Sequence, residues 1–169
     1  MARFDPPAVP KPAFWPELVL PRPPDDAAWL ALTIRMEAGA ERWEGKLAVA
    51  YVIVGRARRT KASIVDTVLK AWQFSAWNTE EPTRKLLDTI PPELWAECYF
   101  AGLAALGGFL PDPSRGASHY LNPVATAKAR RAKGWSPYPD WATDPADKER
   151  LDERRITAWI DNHVFMAVD

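Results

Sequence analysis

Eight of the 17 prolines fall between Pro6 and Pro24. Proline fixes φ and removes a backbone donor, so this stretch reads as an extended arm and not as helix or sheet interior. Phe14, Trp15, Leu18, Val19 and Leu20 lie within it, so the arm is expected to rest on the rest of the molecule. The proline distribution excludes a simple long helix or coiled coil. It predicts a Pro-rich arm over 1–24 and one domain over 25–169, a length that suits a single hydrophobic core.

Charge and apolar patterning narrow the function classes. The chain carries 22 Lys+Arg and 22 Asp+Glu, and a zero balance argues against a protein held mainly by nucleic-acid phosphates. The longest apolar run, Leu47 to Val54, is too short to cross a bilayer, so no stable membrane insertion is expected. The opening residues Met1 to Pro7 contain no apolar segment. The expectation is synthesis in a cytoplasm without a signal peptide. A single cysteine, Cys98, excludes an internal disulfide and a cysteine zinc site, and its apolar helical surroundings read as burial. His119 and His163 lie 44 positions apart with no HxxxH spacing, so neither metal nor cofactor is expected.

The coarse element reading is mostly helical. Asp25 or Asp26 caps a first helix that stops at Gly39. A second helix spans about Trp43 to Arg59, a short one Ser63 to Ala71, and a third long one Pro92 to Gly107. Gln73 to Asn78 is aromatic and irregular, with a short strand as one reading. Leu110 to Tyr138 is loop-rich. Asp152 to Ile160 looks helical, and Val164 to Val168 looks like a closing strand. Of the nine tryptophans, Trp29, Trp95 and Trp159 sit in expected helices and are expected in the core. The basic runs Arg56 to Lys61 and Lys128 to Lys133 are either solvated faces or surfaces for an anionic polymer.

One residue breaks the helical pattern. Leu30, Thr33, Ile34 and Glu37 follow i, i+3, i+4, i+7 spacing, which puts the Glu37 carboxyl on the apolar stripe. It also sits in the last turn, where the helix dipole disfavours a negative charge. Desolvation and dipole together are expected to raise its pKa. A carboxylic acid kept protonated near neutral pH can deliver the proton that a departing glycosidic oxygen requires. A helix-end glutamate paired with Arg35 or Arg42 fits the same pattern. Glu41 and Glu44 offer a possible second carboxylate of a glycosidase pair, or helix-terminal charges with a structural role.

Five segments then resemble, in order, the SleB/CwlJ-type cell wall hydrolases, a family of spore-cortex-lytic enzymes and phage endolysins. They are Glu37-Ala38-Gly39-Ala40-Glu41 with Glu44-Gly45 and its apolar continuation; Gln73-Phe74-Ser75-Ala76-Trp77-Asn78; Asp112-Pro113 through Gly116-Ala117-Ser118-His119-Tyr120; Pro139-Asp140-Trp141-Ala142; and Asn162-His163-Val164-Phe165. The resemblance leaves out the arm. Leu121 stands where the family often carries a second histidine, Met166 replaces a closing aromatic, and residues 124–138 form a longer, more basic link.

The resemblance implies an α+β, predominantly helical, lysozyme-like single domain with a small β element. It implies cleavage of the peptidoglycan glycan strand between N-acetylmuramic acid and N-acetylglucosamine. The lytic transglycosylase route is expected, with Glu37 as the single catalytic acid and base. Hydrolysis using Glu41 or Glu44, and a non-catalytic wall-binding or virion module, are the alternatives. Substrate contacts are expected from Gln73, Ser75, Trp77, Asn78, His119, Tyr120 and Asn122. An endolysin role implies a monomer acting on the wall in the periplasm or outside the cell, a holin for release, and no nucleic-acid partner.

Overall fold

The computed structural model describes residues 25–70, 73, 74, 77 and 82–168; the arm over 1–24, with Ser75 and Asn78, lies outside them. Helix α1 (Asp26–Ala38) opens where the Asp25 side chain accepts from Ala28 N–H at 2.8 Å, supplying one of the partners a helix start lacks. Helix α2 (Trp43–Thr60) ends on Lys61 in the left-handed region at φ 53°, where the Lys61 N–H reaches back to the last turn. Ser63 caps the short α3 (Ile64–Leu69). A 3-10 turn over Pro82–Leu87 precedes α4 (Pro92–Gly107), which has proline in its first turn and Gly108 at φ 65° beyond its end.

Helix α1 is the centre of the domain. Its residues from Ala27 to Ile34, with Met36 and Ala38, are all buried, and it packs on α2, α3, α4 and the 3-10 turn. Gly102 permits the closest approach: a Cβ there would stand 3.0 Å from Leu30 Cβ and 3.2 Å from the Ala27 carbonyl oxygen. Trp29, Phe74, Trp77, Trp95 and Cys98 fill the same core.

The second half of the chain forms two small sheets. Strands β1 (His119–Leu121), β4 (Ile156–Ile160) and β5 (His163–Met166) make an antiparallel sheet in the order β1-β5-β4. Strands β2 (Thr143–Asp144) and β3 (Asp147–Leu151) form a separate hairpin. Central β5 is buried throughout and sorts its side chains by alternation. Phe165 joins the helical core, whereas Val164 and Met166 meet Leu121 and Ala142 in a smaller cluster on the other face. The register Tyr120↔Phe165 and Ile160↔His163 brings β1 and β4 to either side of it.

Three local expectations are corrected. Asp152 to Ile160 is not a helix: a 3-10 turn over Glu153–Arg155 leads directly into β4. Trp159 therefore alternates away from Ala158 and Ile160, which pack on the core, and is 58% exposed. The region 110–138 contains β1 and also helix α5 (Pro123–Arg131), opened by Asn122 and Pro123. In the Gln73 to Asn78 segment, none of the described residues Gln73, Phe74 and Trp77 is in a strand.

Candidate active site

The end of α1 meets the sheet at Glu37. Tyr120, on β1, donates its hydroxyl hydrogen to Glu37 Oε2 at 3.1 Å. Glu37 is half-buried. Burial and the adjacent Glu37 carboxyl hold the Tyr120 hydroxyl well above the ordinary phenol range, so it remains a donor across the working pH range. Its ring is fixed by Phe165 at 5.8 Å and, edge-on, by His163 at 5.4 Å. Arg42 does not serve as a partner of Glu37; its Nε lies 2.5 Å from Asp161 Oδ1.

Glu41 sits apart in a reciprocal clamp. Its two carboxylate oxygens accept from the Asn162 backbone N–H at 3.2 Å and from Asn162 Nδ2 at 3.1 Å. In return, Asp161 accepts from the Arg42 backbone N–H at 2.9 Å and from its guanidinium. The turn between α1 and α2 is thus tied to the turn between β4 and β5. Asp161 is held at φ 50°, the left-handed region that a non-glycine residue enters at some cost. Gly45 has to lack a side chain here, because a Cβ would stand 2.8 Å from Glu41 Cβ and 3.2 Å from Asp161 Oδ2. His163 Nδ1 lies 3.5 Å from Glu41 Oε1, too far for a hydrogen bond, and burial lowers the pKa of the ring despite the raising pull of Glu41 and Asp161. Glu44 is exposed on the rim of a separate cavity of about 630 Å³, facing Arg42, Asp112 and β4.

The other expected contacts are spread over different environments. Gln73 and His119 share a cavity of about 490 Å³ between α2, α3 and the start of β1. His119 accepts or donates at 2.9 Å with Ser118 Oγ and lies 4.7 Å from Trp141, ring centre to ring centre. Burial, together with Arg56 and Arg59, lowers its pKa to about 4, so the ring is neutral near pH 7. Trp77 is in the core, against the expectation of a cleft position: it is 6% exposed and donates to Thr33 Oγ1 at 2.9 Å. Asn122 caps α5 by accepting from Ala125 N–H at 3.0 Å and also lines a small cavity beside Trp159.

Sequence reasoning missed two parts of this arrangement. Arg56 reaches across to the Ser118 carbonyl at 2.7 Å and lies over the Phe74 ring at 5.2 Å. The helical period places Arg56 on α2 but says nothing about β1. The Arg42–Asp161 half of the clamp joins residues 119 apart, and no local signal marks it. Among the described residues, no group of three or more His, Cys, Asp or Glu side chains is arranged to hold a metal ion.

A buried central helix delivering a carboxyl to the edge of a small sheet is a lysozyme-like arrangement. The Cell Wall Hydrolase family model matches residues 40–166, beginning just after Glu37, and the chain belongs to that family. Among solved structures, the catalytic domain of the germination-specific lytic transglycosylase SleB from Bacillus anthracis is similar. It shares 22% identity and a TM-score of 0.52, over 83% of this chain and 93% of that one. No curated protein matches the chain.

Proposed function

We propose that this protein cleaves the peptidoglycan glycan strand at the bond between N-acetylmuramic acid and N-acetylglucosamine, as a lytic transglycosylase with Glu37 as its single catalytic carboxyl. The observation that carries this reading is the contrast among the three carboxyls. Glu37 is half-buried where α1 meets β1 and accepts from the Tyr120 hydroxyl, Glu41 is buried in the clamp with Asn162, and Glu44 is exposed.

The chemistry follows from one group acting twice. The Glu37 carboxylic acid gives its proton to the glycosidic oxygen, and the bond from that oxygen to C1 of the muramoyl residue breaks. The resulting carboxylate accepts the proton of the muramoyl C6 hydroxyl. The C6 oxygen then bonds to C1 and closes a 1,6-anhydro ring. The nucleophile belongs to the substrate, so no second carboxylate is required to activate water. Tyr120 keeps the reacting carboxyl in one orientation through both steps, which is where positioning lowers a barrier.

The experiment is digestion of isolated peptidoglycan by the wild type and by Glu37→Gln, with products identified by mass spectrometry. Anhydro-muropeptides from the wild type and none from the variant are expected. Reducing muramic ends would assign the protein to the hydrolases and return Glu44 or Glu41 to consideration. Intact strands that still bind the protein would make it a wall-binding module. The endolysin role rests on the resemblance alone: co-expression with a holin should lyse bacteria that survive either protein singly.

A further inference from the structure

The cavity that holds Gln73 and His119 is cationic, with a composition that a bare glycan strand does not explain. Arg56 and Arg59 contribute from α2 and Lys70 from the end of α3, against one carboxylate, Asp66. That carboxylate is engaged locally by the Ser63 hydroxyl at 2.7 Å. Among the described residues, Arg56, Arg59 and Lys70 make no ion pair. His119 adds no positive charge near pH 7, because burial and the two arginines keep its ring neutral. The cavity therefore carries a net positive set of side chains with hydrogen-bond donors, set in a wall whose accessible surface is largely apolar.

Its position is as informative as its charge. Arg56 bonds the Ser118 carbonyl, two residues before Tyr120, whose hydroxyl holds Glu37. Glu37 does not line the cavity, but Arg56, which does, interacts electrostatically with both Tyr120 and Glu37, so the cavity is a neighbour of the carboxyl proposed to cleave the strand. The glycan backbone offers hydroxyls and neutral N-acetyl groups, with one lactyl carboxylate per muramoyl residue where a stem is missing, which does not call for three cations. The peptide stem does: it hangs from the lactyl group on C3 of the muramoyl residue, close to the C1–oxygen bond that breaks, and it carries free carboxylates. Guanidinium groups bind carboxylates through paired, charge-assisted hydrogen bonds.

We propose that this cavity is the subsite for the carboxylates of the peptide stem on the muramoyl residue being cleaved, so that the protein prefers strands bearing stems over denuded ones. The proposal rests on the glycan-cleaving reading above.

The test compares cleavage of peptidoglycan strands that bear tetrapeptide stems with strands denuded by an amidase, whose muramoyl residues keep a single lactyl carboxylate where the stem carried several. The wild type should favour stem-bearing strands of the order of tenfold, the scale of one charge-assisted hydrogen bond. In Arg59→Gln/Lys70→Gln the ratio of the two rates should fall close to one. Because both rates come from the same variant, a general loss of activity or fold cancels in the ratio. Calorimetry on Glu37→Gln gives a second readout that needs no catalysis. The free tetrapeptide stem should bind to it and should lose most of its affinity when Arg59→Gln/Lys70→Gln are added. Equal wild-type rates on the two substrates, or a ratio retained in the double variant, would overturn the proposal. So would binding of a glycerol-phosphate oligomer in place of the tetrapeptide, which would assign the cavity to a phosphodiester polymer. Stem binding without cleavage of either strand would instead remove the glycan-cleaving reading and leave the anionic peptide site standing.

Discussion

The Tyr120 hydroxyl donates to Glu37 Oε2 at 3.1 Å, joining residues 83 apart in the chain. The ring that carries the hydroxyl is already fixed by Phe165 and His163. Tyr120→Phe therefore deletes one hydrogen bond and little else. A bond to a charged group contributes about 1.5–3 kcal/mol, so kcat should fall roughly 10–100-fold with KM nearly unchanged. Steady-state kinetics on solubilised strands checks this, and a variant with wild-type kcat would remove the orienting role of Tyr120.

Glu41 is expected to act on stability and not on chemistry. Glu41→Gln leaves one amide oxygen where two carboxylate oxygens now accept from Asn162. Losing a buried, charge-assisted partner should cost about 1–3 kcal/mol in urea unfolding, with the same products by mass spectrometry. Gly45→Ala should weaken the same clamp sterically, since its Cβ would meet Glu41 Cβ at 2.8 Å. A change of product on Glu41→Gln would show that Glu41 takes part in the reaction.

Two tryptophans should behave in opposite ways. Trp77 is 6% exposed and donates to Thr33, so Trp77→Ala leaves a cavity and removes one of the two hydrogen bonds of the Thr33 hydroxyl, which still donates to the Trp29 carbonyl. A loss of about 3–5 kcal/mol is expected from chemical denaturation. Trp159 is 58% exposed, and Trp159→Ala should stay within about 0.5 kcal/mol of wild type. Similar losses for both would contradict the burial found here.

Acid should weaken the fold through its histidines. The His119 pKa is lowered from 6.5 to about 4, by burial first and then by Arg56 and Arg59, and His163 is lowered as well. Below pH 6.5 the unfolded chain therefore binds protons that the folded chain refuses. The contribution is fully present above pH 6.5 and is lost as pH falls toward 4. His119→Gln should flatten the decline in urea midpoint between pH 7 and pH 4.5. An unchanged slope would show that His119 titrates normally.

The sequence by itself determined the elements that close within one or two turns of chain. Asp25, Ser63 and Pro92 start helices, and Gly39 and Gly108 follow their ends, because a cap acts through neighbours three or four residues away. The i, i+3, i+4, i+7 spacing did not settle Glu37, because α1 is buried on nearly every side and Glu37, with Arg35, is one of its half-buried positions. The family was legible too, from short blocks kept in order along the chain. Tertiary structure alone decided the rest. The segment from Asp152 to Ile160 has helix-compatible residues, but β4 exists because β5 offers it a ladder of partners. That pairing turns Trp159 outward, and the packing of α1 draws Trp77 into the core. Glu41 is held in a clamp because Asn162, 121 residues later, brings two donors to it. Local pattern records periodicity and capping; which carboxyl meets Tyr120 and which is held by Asn162 depends on partners that only chain folding brings within hydrogen-bond reach.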